Sequence, residues 1–304
     1  MGFLVPSIIK TVQGLHMYQG SLVALITPLD ERLEIDYKRL EALVEWHIEE
    51  GVDGIVIGGT TGEGIVLSDL EKEKILSTVV KTAKKRIPIL MGTGCSDTRA
   101  SILRTKMAKE LGADGCLVIV PYYNKPTEQG CFQHFYEISR VGLPLIVYHH
   151  PGRTGIKLTA RVLSELAALP NIMGIKECSG DLYLTEDVLE KCYTMILSGD
   201  DTLTYSLMQK GAQGTISVLG NLVPREWNKL VSACLNKDYS KALSIQMKYQ
   251  KLNEALLLET NPQGIKYAMS LLGKCLPYVR LPLIMPREET KIAIKQAMKN
   301  LSLI

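Results

Sequence analysis

Eight short apolar runs, each of strand length and separated by stretches of helical period, are what most restrict the folds open to this chain. They lie at 20–26 (GSLVALI), 54–58 (GIVIG), 88–92 (PILMG), 115–120 (GCLVIV), 144–149 (PLIVYH), 172–176 (IMGIK), 195–199 (MILSG) and 213–218 (QGTISV). A strand that is apolar at nearly every position is buried on both faces, which is the habit of parallel sheets covered by helices. The intervening segments supply those helices. In 36–51, Leu40, Leu43, Val44, His47 and Ile48 repeat at helical spacing, and in 97–111 Ala100, Leu103, Met107 and Leu111 mark one face. Ser68 with Glu71 makes a capping box for one helix, and Asp97 is a natural N-cap for the next. Strand followed by helix, eight times over, fits a closed (β/α)8 barrel, which takes about 250 residues. An open doubly wound sheet is the alternative, and the count of eight favours the barrel. The expected class is therefore α/β, with a barrel over 18–237. Residues 1–17 are expected to be a poorly structured extension, in which Met17 is a second candidate start. Residues 238–304, where the strand signal stops and three helical segments follow, are expected to be a helical appendage.

In a parallel barrel the C-terminal strand ends share one rim, and the chemistry sits there. The sixth run carries Lys176 to that rim, where desolvating an ammonium is expensive. A packed lysine stem with its head in water is the commoner explanation of such a residue. The rest of the rim argues otherwise. It holds GGTTGEG (58–64), PYYNKP (121–126), Tyr148 followed by HHPGRTG (149–155), and SGDD (198–201), with Ile216 in the eighth strand. A lysine kept neutral by apolar neighbours such as Met173 and Ile175, and by a cation such as Arg153, can capture a ketone as a Schiff base. Tyr148 beside it can move protons. Thr60 and Thr61, on a glycine-rich turn, suit a small anion held by hydroxyls and backbone N–H groups at a helix start. Arg153 is a fork for a carboxylate. Asp200 and Asp201 either cap the helix that follows them or line the pocket, and capping is the favoured reading.

Other chemistries find less support. The turn at 58–64 is neither a P-loop nor a dinucleotide-binding turn, and MGTGCSD (91–97) does not complete the latter. His149 and His150 are adjacent on a strand and so face opposite ways, which speaks against a shared metal. No metal and no cofactor is expected, and a pyridoxal-phosphate lysine is set aside on the same reading, so the protein is expected to be colourless. Seven scattered cysteines without C-x-x-C spacing suit free thiols in a reducing, cytoplasmic setting. The net charge of +3 is spread without a basic block, so nucleic acid is not an expected partner, and no apolar stretch approaches the span of a bilayer, so a membrane is not one either.

Taken in order and spacing, GGTTGEG, PYYNKP, YHHPGRTG, GIKECSGD, SGDD and GTISV resemble the dihydrodipicolinate synthase/N-acetylneuraminate lyase group of class I aldolases, over roughly residues 18 to 300. The resemblance implies that Lys176 forms a Schiff base with pyruvate and that Thr61 holds pyruvate's carboxylate. Thr60, Tyr148 and Tyr123 would form a proton relay, with Tyr123 reaching into a partner's site across a dimer interface. Arg153 would bind the carboxylate of L-aspartate 4-semialdehyde, the Ile216 carbonyl would line the site, and Gly199 is carried over as a substrate-binding position. A homotetramer built as a dimer of dimers follows from the same likeness, as does a place in lysine and diaminopimelate biosynthesis. Cleavage of N-acetylneuraminate or a 2-keto-3-deoxy sugar acid is the alternative reaction, and a non-catalytic keto-acid-binding barrel a third reading. Arg153 in its RTG setting favours the anionic acceptor. Two departures stand out. The family's usual YNVPSRTG reads YHHPGRTG here, so that His149, His150 and Gly152 are expected to alter the wall around the second substrate. The positions matching the lysine-feedback cleft are Asp69, Lys72 and Ala100, which lack the histidine and glutamate of lysine-inhibited members; feedback is expected to be weak or absent.

Overall fold

The computed structural model describes residues 17–304, so the extension expected over 1–17 lies outside the described residues except for Met17, which is half exposed. Eight parallel strands close into a barrel in sequence order: β1 (Gly20–Ala24), β2 (Gly54–Ile57), β3 (Ile89–Gly92), β4 (Gly115–Ile119), β5 (Leu145–His149), β6 (Ile172–Glu177), β7 (Met195–Ser198) and β8 (Gly214–Ser217). Each falls within or one residue beyond an apolar run of the sequence. The reason is the two-sided burial that period-2 alternation creates. In β1, Leu22 and Ala24 fill the barrel interior while Val23 packs outward against the helices; in β2, Val56 faces in and Ile55 and Ile57 face out.

Closure is made where β1 meets β8, with Gly20 opposite Gly214. A Cβ on Gly214 would fall 2.6 Å from the Gly20 backbone nitrogen, so the seam needs a residue without a side chain at that point. The helices of the outer ring begin as the sequence indicates. Asp36 caps α1 (Tyr37–Glu49), whose Leu40, Leu43, Val44 and His47 are buried. Ser68 and Glu71 form a complete capping box on α2 (Asp69–Ala83), and Asp97 caps α3 (Thr98–Glu110) through the Arg99 amide.

The inward face of α3 differs from expectation. Leu103 is more than half exposed, and the buried residues are Ser101, Thr105 and Ala108. Ser101 Oγ accepts from the Cys95 amide at 3.0 Å, and Thr105 Oγ1 donates to the Ser101 carbonyl at 2.8 Å. Met107 and Leu111 of the expected stripe do pack against the core, but hydroxyls satisfied at once by nearby backbone can be buried cheaply, so Ser101 and Thr105 take the inward place expected of Leu103.

The remaining ring helices are α4 (Glu128–Ser139), the one-turn α5 (Pro151–Thr154), α6 (Ala160–Ala167), α7 (Leu182–Lys191), α8 (Thr204–Gln209) and α9 (Pro224–Leu235). Three further helices follow the barrel, α10 (Tyr239–Leu256), α11 (Gln263–Leu271) and α12 (Glu288–Asn300), in the places where three helical segments were read. α11 is tied to the barrel by a fully buried ion pair. Lys266 Nζ lies 2.6 Å from Glu63 Oε1, and the other carboxylate oxygen accepts the Arg280 amide at 2.8 Å.

The cysteines are all free thiols. Among the described residues no helix is long and apolar enough to cross a membrane.

Candidate active site

Lys176 and Tyr148 are side by side because β5 and β6 are neighbours in register. Tyr148 is opposite Lys176, and the next pair is His149 opposite Glu177. Alternation then turns Tyr148 and Lys176 into the barrel mouth. The Lys176 Nζ lies 4.4 Å from the centre of the Tyr148 ring, and the whole lysine is 5% exposed. Burial lowers its pKa from the usual lysine range; Cys178 and Asp201 oppose that, and the Arg153 guanidinium adds to it. A buried amine held toward its neutral form is a competent nucleophile for a carbonyl. Its apolar surroundings are not quite those expected. Ile175 points outward into the helix layer, while Met173 packs on the interior cluster with Cys178.

Gly199 explains how the lysine fits. A Cβ there would fall 2.6 Å from Lys176 Cε and would also overlap the Cys178 sulfur. Any side chain at 199 would displace the amine, so the glycine's contribution in this structure is space. Ile216, on β8, is fully buried in the same interior cluster.

Burial pushes the Tyr148 phenol well above its ordinary pKa, and Cys178 adds to that; a hydrogen bond with Thr60 works the other way. The phenol therefore keeps its proton at neutral pH and can pass one through the Thr60 hydroxyl. The loop that carries Thr60 does not open a helix, contrary to the sequence reading. α2 starts only at Asp69, and the Glu63 and Gly64 amides are already bound to the Thr60 and Gly59 carbonyls. What the loop presents is a pair of threonines. Thr61, 2% exposed, accepts a hydrogen bond from Asn261 Nδ2 at 3.0 Å.

Arg153 sits exposed on α5 at the edge of the same opening, its Nη2 3.4 Å from the Asn261 carbonyl oxygen. Thr60, Tyr148 and Arg153 line one end of a cavity of about 590 Å³; its other reach is lined by Lys72, Asp97, Ala100 and Arg104. There Asp69 meets both cations on one oxygen, Arg104 Nε at 2.8 Å and Lys72 Nζ at 3.7 Å.

The structure thus gathers Lys176, Tyr148 and Gly199 at the strand ends, with Thr60, Thr61 and Arg153 around the opening, and leaves Ile216 buried in the barrel interior. It does not bring Tyr123 there within one chain. That tyrosine is 91% exposed and has φ of 72°, a left-handed conformation in which a bulky residue is uncommon. Asp200 and Asp201 do not cap α8 in the expected way. Asp201 Oδ2 accepts the Val218 and Leu219 amides at 2.8 Å each, holding the turn after β8, while Asp200 accepts the Thr202 amide and hydroxyl.

Sequence reasoning missed Asn261 as a member of the site. It touches Thr61 with its side chain and Arg153 with its carbonyl, and its Oδ1 is buried without a partner. The only signal was its place before Pro262 in a break between helices. His150 packs its ring edge-on to Tyr148, centroids 5.8 Å apart. Its pKa falls to about 4, through burial first and then Arg153 and Lys176, so it is neutral at pH 7. Among the described residues no three of His, Cys, Asp or Glu are grouped as metal ligands.

Residues 17–301 match the model of the dihydrodipicolinate synthetase family. A 4-hydroxy-tetrahydrodipicolinate synthase of Thermodesulfovibrio yellowstonii is 40% identical over 291 residues, covering 95% of this chain and all of that protein. The crystal structure of dihydrodipicolinate synthase from Aquifex aeolicus matches with a TM-score of 0.92 at 39% identity, covering 94% of this chain and 99% of that one. The chloride-inhibited dihydrodipicolinate synthase from Acinetobacter baumannii, solved with pyruvate, matches with a TM-score of 0.92 at 40% identity and the same two coverages.

Proposed function

The chain belongs to the dihydrodipicolinate synthetase family, and on that premise we propose that it is a lyase of lysine and diaminopimelate biosynthesis that condenses pyruvate with L-aspartate 4-semialdehyde. The observation that carries the reading is the buried amine of Lys176 set beside Tyr148 in a barrel mouth, with an arginine at its edge.

Lys176 Nζ adds to the pyruvate ketone, water leaves, and an iminium forms. Loss of a methyl proton gives the enamine, whose terminal carbon attacks the aldehyde carbon and makes the new C–C bond. The amine of the former semialdehyde then closes the ring on C2 and displaces Lys176. Tyr148, with Thr60, moves protons in the carbinolamine and enamine steps. Thr61 holds the pyruvate carboxylate, with Asn261 fixing its hydroxyl. Arg153 takes the acceptor's carboxylate as a two-pronged fork. The Ile216 carbonyl and Gly199 border the substrate.

Tyr123 completes the relay from a partner subunit. Its near-complete exposure in the single chain suits a side chain that finds its contacts in another copy. The working form is a homotetramer, a dimer of dimers, in the cytoplasm. Residues 18–237 are the catalytic barrel and 238–304 a helical unit that supplies Asn261 to the mouth. No cofactor takes part.

The test is borohydride reduction in the presence of pyruvate or of N-acetylneuraminate, with a turnover assay on each candidate substrate. A pyruvate adduct mapped to Lys176, with turnover of the semialdehyde, is expected. Turnover of N-acetylneuraminate without any of the semialdehyde would reverse the assignment. L-Lysine is expected to inhibit weakly or not at all, because the Asp69, Lys72 and Arg104 cluster faces the effector's ammonium with two cations and one carboxylate. Inhibition at micromolar lysine would contradict this.

A further inference from the structure

His149, expected in the wall around the second substrate, instead sits with its back to the chemistry. Alternation along β5 turns it away from the mouth and under the helix layer, where its side chain is completely buried. Its Nδ1 lies 2.8 Å from Glu177 Oε2, and its Nε2 receives the Leu158 amide at 3.1 Å. The other Glu177 oxygen accepts the Ser179 amide. A backbone amide can only donate, so Nε2 carries no proton. The single ring proton is therefore on Nδ1, donated to the carboxylate. Leu158, His149, Glu177 and Ser179 form one continuous run of hydrogen bonds in which no buried polar atom is left over.

We infer that His149 is a positioning residue for Arg153. The two strand residues it links through Glu177 follow Tyr148 and Lys176 directly. Leu158, fully buried, is five residues beyond Arg153 and ends the segment that leaves α5. Among the described residues the Arg153 guanidinium makes one long hydrogen bond, 3.4 Å to the Asn261 carbonyl, so its aim is set largely by its backbone. That backbone is held at its near end by the Arg153 and Thr154 amides on the His150 carbonyl, at 3.0 and 3.1 Å, and by the Gly155 amide on the Pro151 carbonyl. At its far end it is held by His149. The imidazole thus holds the outgoing end of the segment against the strand ends that carry the amine and the phenol, and keeps the one-turn helix that bears the acceptor's carboxylate fork from swinging about its anchor on His150. This rests on the role proposed above for Arg153.

The experiment is steady-state kinetics on the full-length protein with pyruvate and L-aspartate 4-semialdehyde, alongside borohydride trapping of pyruvate and a melting curve. The variants are His149→Phe, which keeps a ring but offers neither hydrogen bond, and His149→Gln, whose amide has one donor and one acceptor. For His149→Phe, the KM for the semialdehyde is expected to rise about tenfold, while kcat, the KM for pyruvate and the trapped yield stay within about twofold. His149→Gln is expected to recover most of that loss. Equal movement of both KM values, or of neither, would overturn the inference, as would a change confined to melting. Should His149→Phe fail to fold, Glu177→Gln decides: it sets an amide against one of the two donors, and the same split between substrates is expected. A parent protein that traps pyruvate yet does not turn over the semialdehyde overturns the acceptor assignment, and this inference with it.

Discussion

Lys176→Ala is expected to lose turnover by roughly 10⁴-fold or more, and with it the borohydride-trapped pyruvate adduct. The reason is that no neighbouring group can take over. Every step from carbinolamine to ring closure passes through a covalent bond to this one nitrogen. Cys178 is the nearest other nucleophile, but burial, overriding the pull of Lys176, pushes its thiol up to about 12, so it is protonated at neutral pH. The variant should still fold. Alanine removes a buried chain that makes no ion pair among the described residues, and relief from burying the amine offsets part of the packing lost to the cavity, so the melting temperature is expected to fall by roughly a few degrees only. Retention of full turnover, or a trapped adduct elsewhere in the chain, would remove the basis of the proposed mechanism. Replacement by arginine is expected to be as damaging, since a guanidinium keeps its charge at any accessible pH.

The largest effect on stability is expected from the ion pair between Glu63 and Lys266. Both partners are almost wholly removed from water, at 4% and 0% exposure. Burial lowers the Lys266 pKa, with the attraction of Glu63 working against it. Breaking such a pair strands a charge in a dry interior, which costs about 3–5 kcal/mol. Lys266→Met is accordingly expected to lower the melting temperature by roughly 5–10 °C. Glu63→Gln combined with Lys266→Met removes the stranded charge and is expected to regain more than half of the loss. Activity should fall too, because Glu63 lies two residues beyond Thr61 in the same loop, and its carboxylate joins that loop to α11 and to Arg280. A melting temperature within a degree of the parent would mean that the loop holds its place without the pair.

The features legible in the sequence share one trait: they are local. A strand buried on both faces advertises itself in five consecutive residues, and the Ser68–Glu71 capping box in four. That Tyr148 and Lys176 share one rim followed once the strands were counted, because each sits at or next to the end of its run; their pairing in register is given by the structure. What escaped depends on partners remote in the chain. Asp201 binds amides 17 and 18 residues away, on the far side of β8, and so never caps the helix it precedes. Asn261 reaches Thr61 across 200 residues. His149 meets Glu177 over 28. The face of α3 was legible only in part, Met107 and Leu111 packing inward and Leu103 not, for a different reason: Ser101 and Thr105 are buried with their hydroxyls satisfied, a circumstance that polarity alone conceals.

The glycine seam between Gly20 and Gly214 has a consequence for how the chain is made. One side of β1 finds its partner in β2 soon after synthesis, but the other waits for β8, about 190 residues later. At ribosomal speeds of about 5–20 residues per second, that edge stays unpaired for roughly 10–40 s. Through that interval the nascent chain carries an open, apolar strand margin able to pair with another polypeptide, and the last strand to emerge is the one that withdraws it.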